Sequence, residues 1–169
     1  MKQLRILRAL TIGLVVGLSL PAGLVQAQVV AAQGMNELPI HDAARGGTRA
    51  EVERLLKANP QQKEIRTALG ATPLHYAALN HSSGPLKALI EAGANPNARD
   101  SEGRTPMHMA AFGTRTANAM LLLQAGADPQ LKTNAGRDVL SMGRKVRADE
   151  LVGEVSLWIL KGCKPGRAC

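Results

Sequence analysis

The chain is 169 residues long, with 21 Lys and Arg against 13 Asp and Glu and only three aromatic residues, Tyr76, Phe112 and Trp158. So few aromatics supply no base-stacking platform, which makes the basic excess a poor argument for nucleic acid. One domain is the expected content at this length.

The first segment does not read as part of the fold. Met1 to Arg8 carries Lys2, Arg5 and Arg8 and no acid, Ala9 to Val25 is an uncharged run of 17 residues, and Val25-Gln26-Ala27 follows as a small-x-small pattern. Basic, apolar and small-residue regions in that order predict a secretory signal peptide over residues 1–27, cleaved after Ala27. The alternative is an uncleaved anchor on an envelope-tethered structural protein. A span wants about 20 apolar residues, and this run is broken by Pro21. No twin Arg precedes it and no Cys follows the cleavage point to take a lipid. The expected address is therefore a bacterial periplasm, with no stable membrane insertion after cleavage. Removing residues 1–27 takes three basic residues and no acid, leaving 142 residues with 18 Lys and Arg against 13 acids, a net charge of +5. A modestly basic surface favours encounter with acidic partners.

Residues 28–35 read as a short lead-in, after which the chain repeats itself. Leu38-Pro39-Ile40-His41-Asp42-Ala43-Ala44 is followed 34 residues later by Thr72-Pro73-Leu74-His75-Tyr76-Ala77-Ala78, and that returns 33 residues later as Thr105-Pro106-Met107-His108-Met109-Ala110-Ala111. Ala92-Gly93-Ala94-Asn95-Pro96 and Ala125-Gly126-Ala127-Asp128-Pro129 recur in the same phase. A fixed period in this range marks a stacked repeat protein. These residues resemble the ankyrin repeat, whose signature is a Thr-Pro-Leu-His-x-Ala-Ala run, a Leu-Leu helix and Gly-Ala-Asp/Asn. The resemblance covers about residues 36–160. It implies an all-α solenoid of about four repeats (36–69, 70–102, 103–135 and 136–160), each two antiparallel helices and a projecting turn, with degenerate first and last repeats and a tail at 161–169.

Thr72 and Thr105 fall at the N-cap, where a side-chain oxygen can accept from an orphan N–H, with Pro73 and Pro106 at the first helical position. His75 and His108 lie three residues past the Thr and can bond back toward the cap, as Glu or Gln does in a capping box. In the resembled family this His ties adjacent repeat turns together. A shared metal site on His41, His75 and His108 is not expected, because stacked helices stand about 10 Å apart and zinc needs ligands at about 2 Å.

In the second helices Val52, Leu55 and Leu56 align with Leu86, Leu89 and Ile90 and with Ala119, Leu122 and Leu123, an i, i+3, i+4 stripe that predicts one apolar ribbon across the repeats. Gly93 and Gly126 suit the left-handed residue after a helix, as does Gly47 after the first helix of repeat one. His81 and Thr114 hold the places equivalent to Gly47. Thr resists that conformation, so Gly113 is expected to shift its turn by one residue.

Departures mark the ends. Leu38 replaces the capping Thr, Asn59 replaces a Gly, and Gln61-Gln62-Lys63-Glu64 reads as an altered finger. In repeat four Asp138 is the expected N-cap, Val139 replaces Pro and Ser141 replaces His, with Arg144 and Lys145 on a polar terminal face. Leu151, Val152, Val155, Trp158 and Ile159 form a closing stripe in which Trp158 is core.

Cys163 and Cys169 flank a Pro-Gly turn, and in an oxidising compartment they predict a disulfide staple. No Gly-rich phosphate loop follows a strand, no paired carboxylates sit in an apolar setting, and Ser82 and Ser83 lack a positioned base. No enzymatic activity, metal or cofactor is expected. Function then lies in what the repeats vary. The variable positions of the first helices are Asp42, Arg45, Tyr76, Leu79, Asn80, Met109 and Phe112, and the fingers add Arg99, Asp100, Ser101, Glu102, Arg104, Lys132, Asn134 and Arg137. An aromatic and Met cluster rimmed by Arg is the composition of a protein-binding patch. It is expected to be concave, centred on repeats two and three with Tyr76, Met109 and Phe112 in one patch, and to let a monomer bind an exported protein that is acidic at its contact surface, inhibiting or stabilising it. The competing class is a redox or metal-handling protein using Cys163, Cys169 and His81.

Overall fold

A computed structural model describes residues 37–167. The predicted signal peptide and the lead-in, together with Cys169, lie outside the described residues. Eight α-helices follow in chain order: α1 (Pro39–Gly46), α2 (Arg49–Ala58), α3 (Pro73–Leu79), α4 (Gly84–Glu91), α5 (Pro106–Phe112), α6 (Thr116–Gln124), α7 (Val139–Lys145) and α8 (Asp149–Leu160). A 3-10 helix, Pro60–Glu64, lies between α2 and α3. No strand occurs among the described residues. This is the all-α solenoid that the family resemblance implies. The first helices stack as one row, α1 on α3, α3 on α5 and α5 on α7, while α2 packs on α4 and α6 on α8.

The core follows the period. Ile40, Leu74 and Met107 occupy one position of successive first helices and are fully buried, as are Ala44, Ala77, Ala78, Ala110 and Ala111. The second-helix ribbon forms as expected: Val52, Leu86, Leu89, Ala119, Leu122 and Leu123 are fully buried. Leu151, Val155 and Trp158 of α8 close the far end. The small residues let first helices approach on both sides, which a longer side chain would prevent.

Each of the first three first helices is fastened by a His. In the second repeat, Nδ1 of His75 accepts the Thr72 N–H at 3.1 Å and lies 2.9 Å from the Thr72 hydroxyl, while Nε2 lies 3.1 Å from the carbonyl oxygen of Arg104. The third repeat copies this through His108, with Thr105 N at 3.2 Å and the Arg137 carbonyl at 3.2 Å. A backbone N–H only donates and a carbonyl only accepts, so each ring is neutral with its proton on Nε2. The Thr hydroxyl therefore donates to the ring. His41 bonds Leu38 N at 3.0 Å but reaches the Ile65 carbonyl at 3.3 Å, because the connection in repeat one is rebuilt by the 3-10 helix. Residues 61–64, expected as an altered finger, belong to that helix, and the finger is the turn Thr67–Ala71, closed by Thr67 N to Ala71 O at 3.0 Å.

The second-helix ends obey expectation: Gly93 and Gly126 have φ of 77° and 98°. The first-helix ends do not. Gly47 is extended, with φ −87° and ψ −166°. It is needed for room, since a Cβ there would stand 2.7 Å from the Ala43 carbonyl oxygen. Thr114 does take the left-handed conformation, at φ 56°, and Gly113 does not shift the turn. The Arg115 N–H reaches back to the Ala110 carbonyl at 2.8 Å, and that closing bond offsets the strain. Gly113 is small because a Cβ would meet Leu79 Cδ2 at 2.9 Å. In the fourth repeat Asp138 caps α7 as expected, accepting the Ser141 N–H at 2.7 Å.

Two outcomes follow from this packing. Ala110→Leu should lower the free energy of unfolding in urea by about 1–3 kcal/mol through overpacking. The second concerns pH. Burial pushes His75 down to about 4 and lowers His41 and His108 in the same sense. Below the ordinary His value the unfolded chain takes protons that the folded chain refuses, so this stability is present above about pH 6.5 and is lost as pH falls toward 4. Thermal midpoints measured from pH 7 to 4 should fall. His75→Gln should start lower at pH 7 and fall less steeply.

Candidate functional site

The variable positions of the four first helices fall one above another, because the period is constant and the row is continuous. Their fates differ. Tyr76 turns toward repeat one. Its hydroxyl donates to Glu37 Oε1 at 2.9 Å, its ring meets His41 edge-on with centroids 5.6 Å apart, and the Arg45 guanidinium lies 4.5 Å over its face. Arg45 also pairs with Glu37 at 2.7 Å. The Tyr76 hydroxyl, followed by Arg45, holds the Glu37 carboxyl below its ordinary value. Leu79 is half-buried over Gly113, and Asp42 is exposed.

Two of the expected surface residues are structural. Asn80 is buried and donates to the carbonyls of Ala44 at 3.1 Å and Gly47 at 3.3 Å while accepting from Ser82 N. The Asp100 side chain is 1% exposed. It accepts from Glu102 N, Arg104 N and Arg104 Nε at 3.0, 2.8 and 2.7 Å, which closes the finger turn. Neither has an acceptor or donor to offer a partner.

The fingers are themselves joined edge to edge. Ser101 N donates to Leu69 O at 3.0 Å and Asn134 N to Glu102 O at 2.9 Å. Arg66 reaches forward to the Arg99 carbonyl at 2.7 Å, Arg99 reaches the Lys132 carbonyl at 2.9 Å, and Asn134 Nδ2 reaches the Ser101 carbonyl at 3.0 Å. Arg99 and Asn134 thus align fingers, whereas the side chains of Ser101, Glu102, Lys132 and Arg137 are exposed.

Met109 and Phe112 do meet, in a groove of about 210 Å³ between the third and fourth repeats. Met109, Phe112, Met142 and Val146 give it an apolar lining, and Glu102, Arg104, Arg137 and Lys145 stand around it. Phe112 is 60% exposed, against an ordinary tendency of Phe to be buried. Tyr76 does not line the groove, so the expected single patch of Tyr76, Met109 and Phe112 is divided and its centre moves one repeat toward the C-terminus. Met142 and Lys145 were legible as members: they follow Met109 and Phe112 by the same 33-residue period. Reading repeat four only as a cap hid them.

The charges around the groove are unequal. Arg104 is neutralised by Asp100 at 2.7 Å and lies 3.4 Å from Glu102. Arg137 and Lys145 enter no ion pair among the described residues. Among those same residues no group of three or more His, Cys, Asp and Glu is placed to hold a metal, and no helix is long and apolar enough to cross a membrane. His81 is exposed beside Arg115, which donates to its Nε2 at 2.7 Å, a cationic neighbour unsuited to a metal ligand.

Compared with known families, the chain matches a model described as ankyrin repeats, in three copies, over residues 23–133. The match ends at residue 133, before the fourth first helix, which opens with Asp138-Val139-Leu140-Ser141 in place of Thr-Pro-Leu-His.

The divided patch has a measurable signature. Tyr76→Ala removes an edge-on ring contact, a cation–π contact and a charge-assisted hydrogen bond, and should destabilise by about 1–3 kcal/mol. Phe112→Ala removes little burial and should stay within about 0.5 kcal/mol. Urea unfolding of both variants measures the difference.

Proposed function

Because the chain belongs to the ankyrin-repeat family, whose stacked repeats serve as protein–protein interaction modules, we propose that it is an exported, periplasmic member that binds one protein partner through its variable first-helix and finger residues. The observation that carries this reading is Phe112, which is 60% exposed beside Met109 in a groove. The fold leaves most of that side chain in solvent, and an aromatic with Met beside Arg is the composition of a protein-binding patch. We further propose that binding inhibits or stabilises an exported enzyme, that the chain acts as a monomer, and that it has no catalytic activity of its own. The basic, apolar and small-residue order of residues 1–27 supports export. An oxidising compartment and an even cysteine count support a Cys163–Cys169 disulfide. That loop is short, so its stabilisation belongs at the low end of about 2–4 kcal/mol.

Three measurements test this. Mass spectrometry of the exported protein should find a mature N-terminus at Gln28 or within a few residues. Alkylation without reductant should find no reactive thiol. Mature wild-type protein should capture a specific protein from periplasmic extract, and the Met109→Ala, Phe112→Ala double variant should bind it more weakly by over 1 kcal/mol if either residue is a hot spot. Full-length chain held in alkali-washed membranes would remove the export reading, and equal capture by the double variant would remove the site.

A further inference from the structure

We infer that the groove between the third and fourth repeats takes one large apolar side chain from an acidic protein segment, whose flanking carboxylates pair with Arg137 and Lys145. This rests on the partner-binding reading and specifies the chemistry of the partner.

Size argues first. A groove of about 210 Å³ is smaller than the roughly 300–1,000 Å³ of small-molecule sites, and suits a single side chain projecting from a larger ligand. Its lining argues second. Met109 and Met142 are flexible thioethers that can close around an aromatic or branched side chain, and Phe112 supplies a ring that already faces solvent.

Charge decides the flanks. Arg104 carries its own carboxylate partner, Asp100, in the finger, and cannot attract a second at equal strength. Among the described residues Arg137 and Lys145 have none. Lys145, in the last turn of α7, is partly explained by the helix dipole. Arg137 lies in a finger turn, outside any helix, and the dipole does not explain it. The surrounding field has the same sign: residues 131–167 hold eight Lys and Arg against four Asp and Glu. A second copy docking groove to groove would bring like charges together, a costly juxtaposition at an interface. An acidic segment gains from every one of these features.

The test pans random twelve-residue peptides displayed on phage against the mature, full-length chain. Enriched sequences should carry at least two Asp or Glu around one Leu, Met or aromatic residue. A fluorescein-labelled synthetic copy should bind at least tenfold more weakly to R137E/K145E and to F112A, and within twofold of wild type to K87E, which changes an exposed cation on the second helix α4, outside the groove lining. Circular dichroism of R137E/K145E should match wild type and its melting should fall only slightly, since both residues are exposed and only Lys145 faces a helix dipole. Enrichment of neutral or basic peptides, or unchanged binding by R137E/K145E, would overturn the inference. If a partner from periplasmic extract binds R137E/K145E as well as wild type, the groove is wrong while the partner-binding function stands. If no peptide is enriched and no partner is captured, both fail.

Discussion

A neutral imidazole, bonded at both nitrogens to main chain, is what the stack depends on. His75 and His108 each take an N–H at the start of one helix and give a proton to a carbonyl at the base of the next finger. The helix-start N–H is a buried donor that the ring alone satisfies, which matters because an unmet buried polar group costs about 1–3 kcal/mol, while the carbonyl also accepts the N–H that closes its own finger turn. The bond also sets distance. It fixes how far each finger stands from its own helices, and that spacing lets Ser101 and Asn134 find the preceding finger. The apolar ribbon supplies most of the burial, but it could slide; the imidazole bonds are directional and specify one register.

That register in turn creates the groove. Met109 and Phe112 line one wall and Met142 with Val146 the other, and they face each other because the third and fourth first helices repeat the same phase. A repeat protein needs its shared positions for stacking, so partner choice is confined to the positions that stacking leaves unspecified. In the first two repeats most of those are consumed, by the Tyr76, Arg45 and Glu37 cluster and by Asn80 on the carbonyls of Ala44 and Gly47. The third and fourth retain unused apolar and cationic groups.

The phase of the repeats and the bond of His75 back to its own cap were legible from period and spacing, because each is a property of local sequence repeated; the helix pairs and the tie from His75 to the next turn were what the family resemblance implied. The failures came where the outcome depends on a neighbour. Tyr76 and Met109 occupy the same phase, and nothing local separates them; Glu37 and Arg45, on the preceding repeat, draw one of them away. Asp100 looks like an exposed finger charge until the Arg104 side chain and two N–H groups turn out to surround it. Thr114 was misjudged because its intrinsic preference is real but is outweighed by the closing bond from Arg115 to Ala110. Gly47 was assigned a torsional role when its role is volume.

The guanidinium relay along the fingers behaves like a polymer with a chain-terminating unit. Arg66 extends it to Arg99, and Arg99 extends it to residue 132. There the sequence places Lys, whose compact ammonium lacks the planar fork that joined the earlier units. One period further lies Pro165, and among the described residues no fifth finger receives a link. Growth therefore stops at the turn that carries Arg137, which is stacked on one side and open on the other. A finite array of identical units always has such an end, and here that unsatisfied end coincides with the groove.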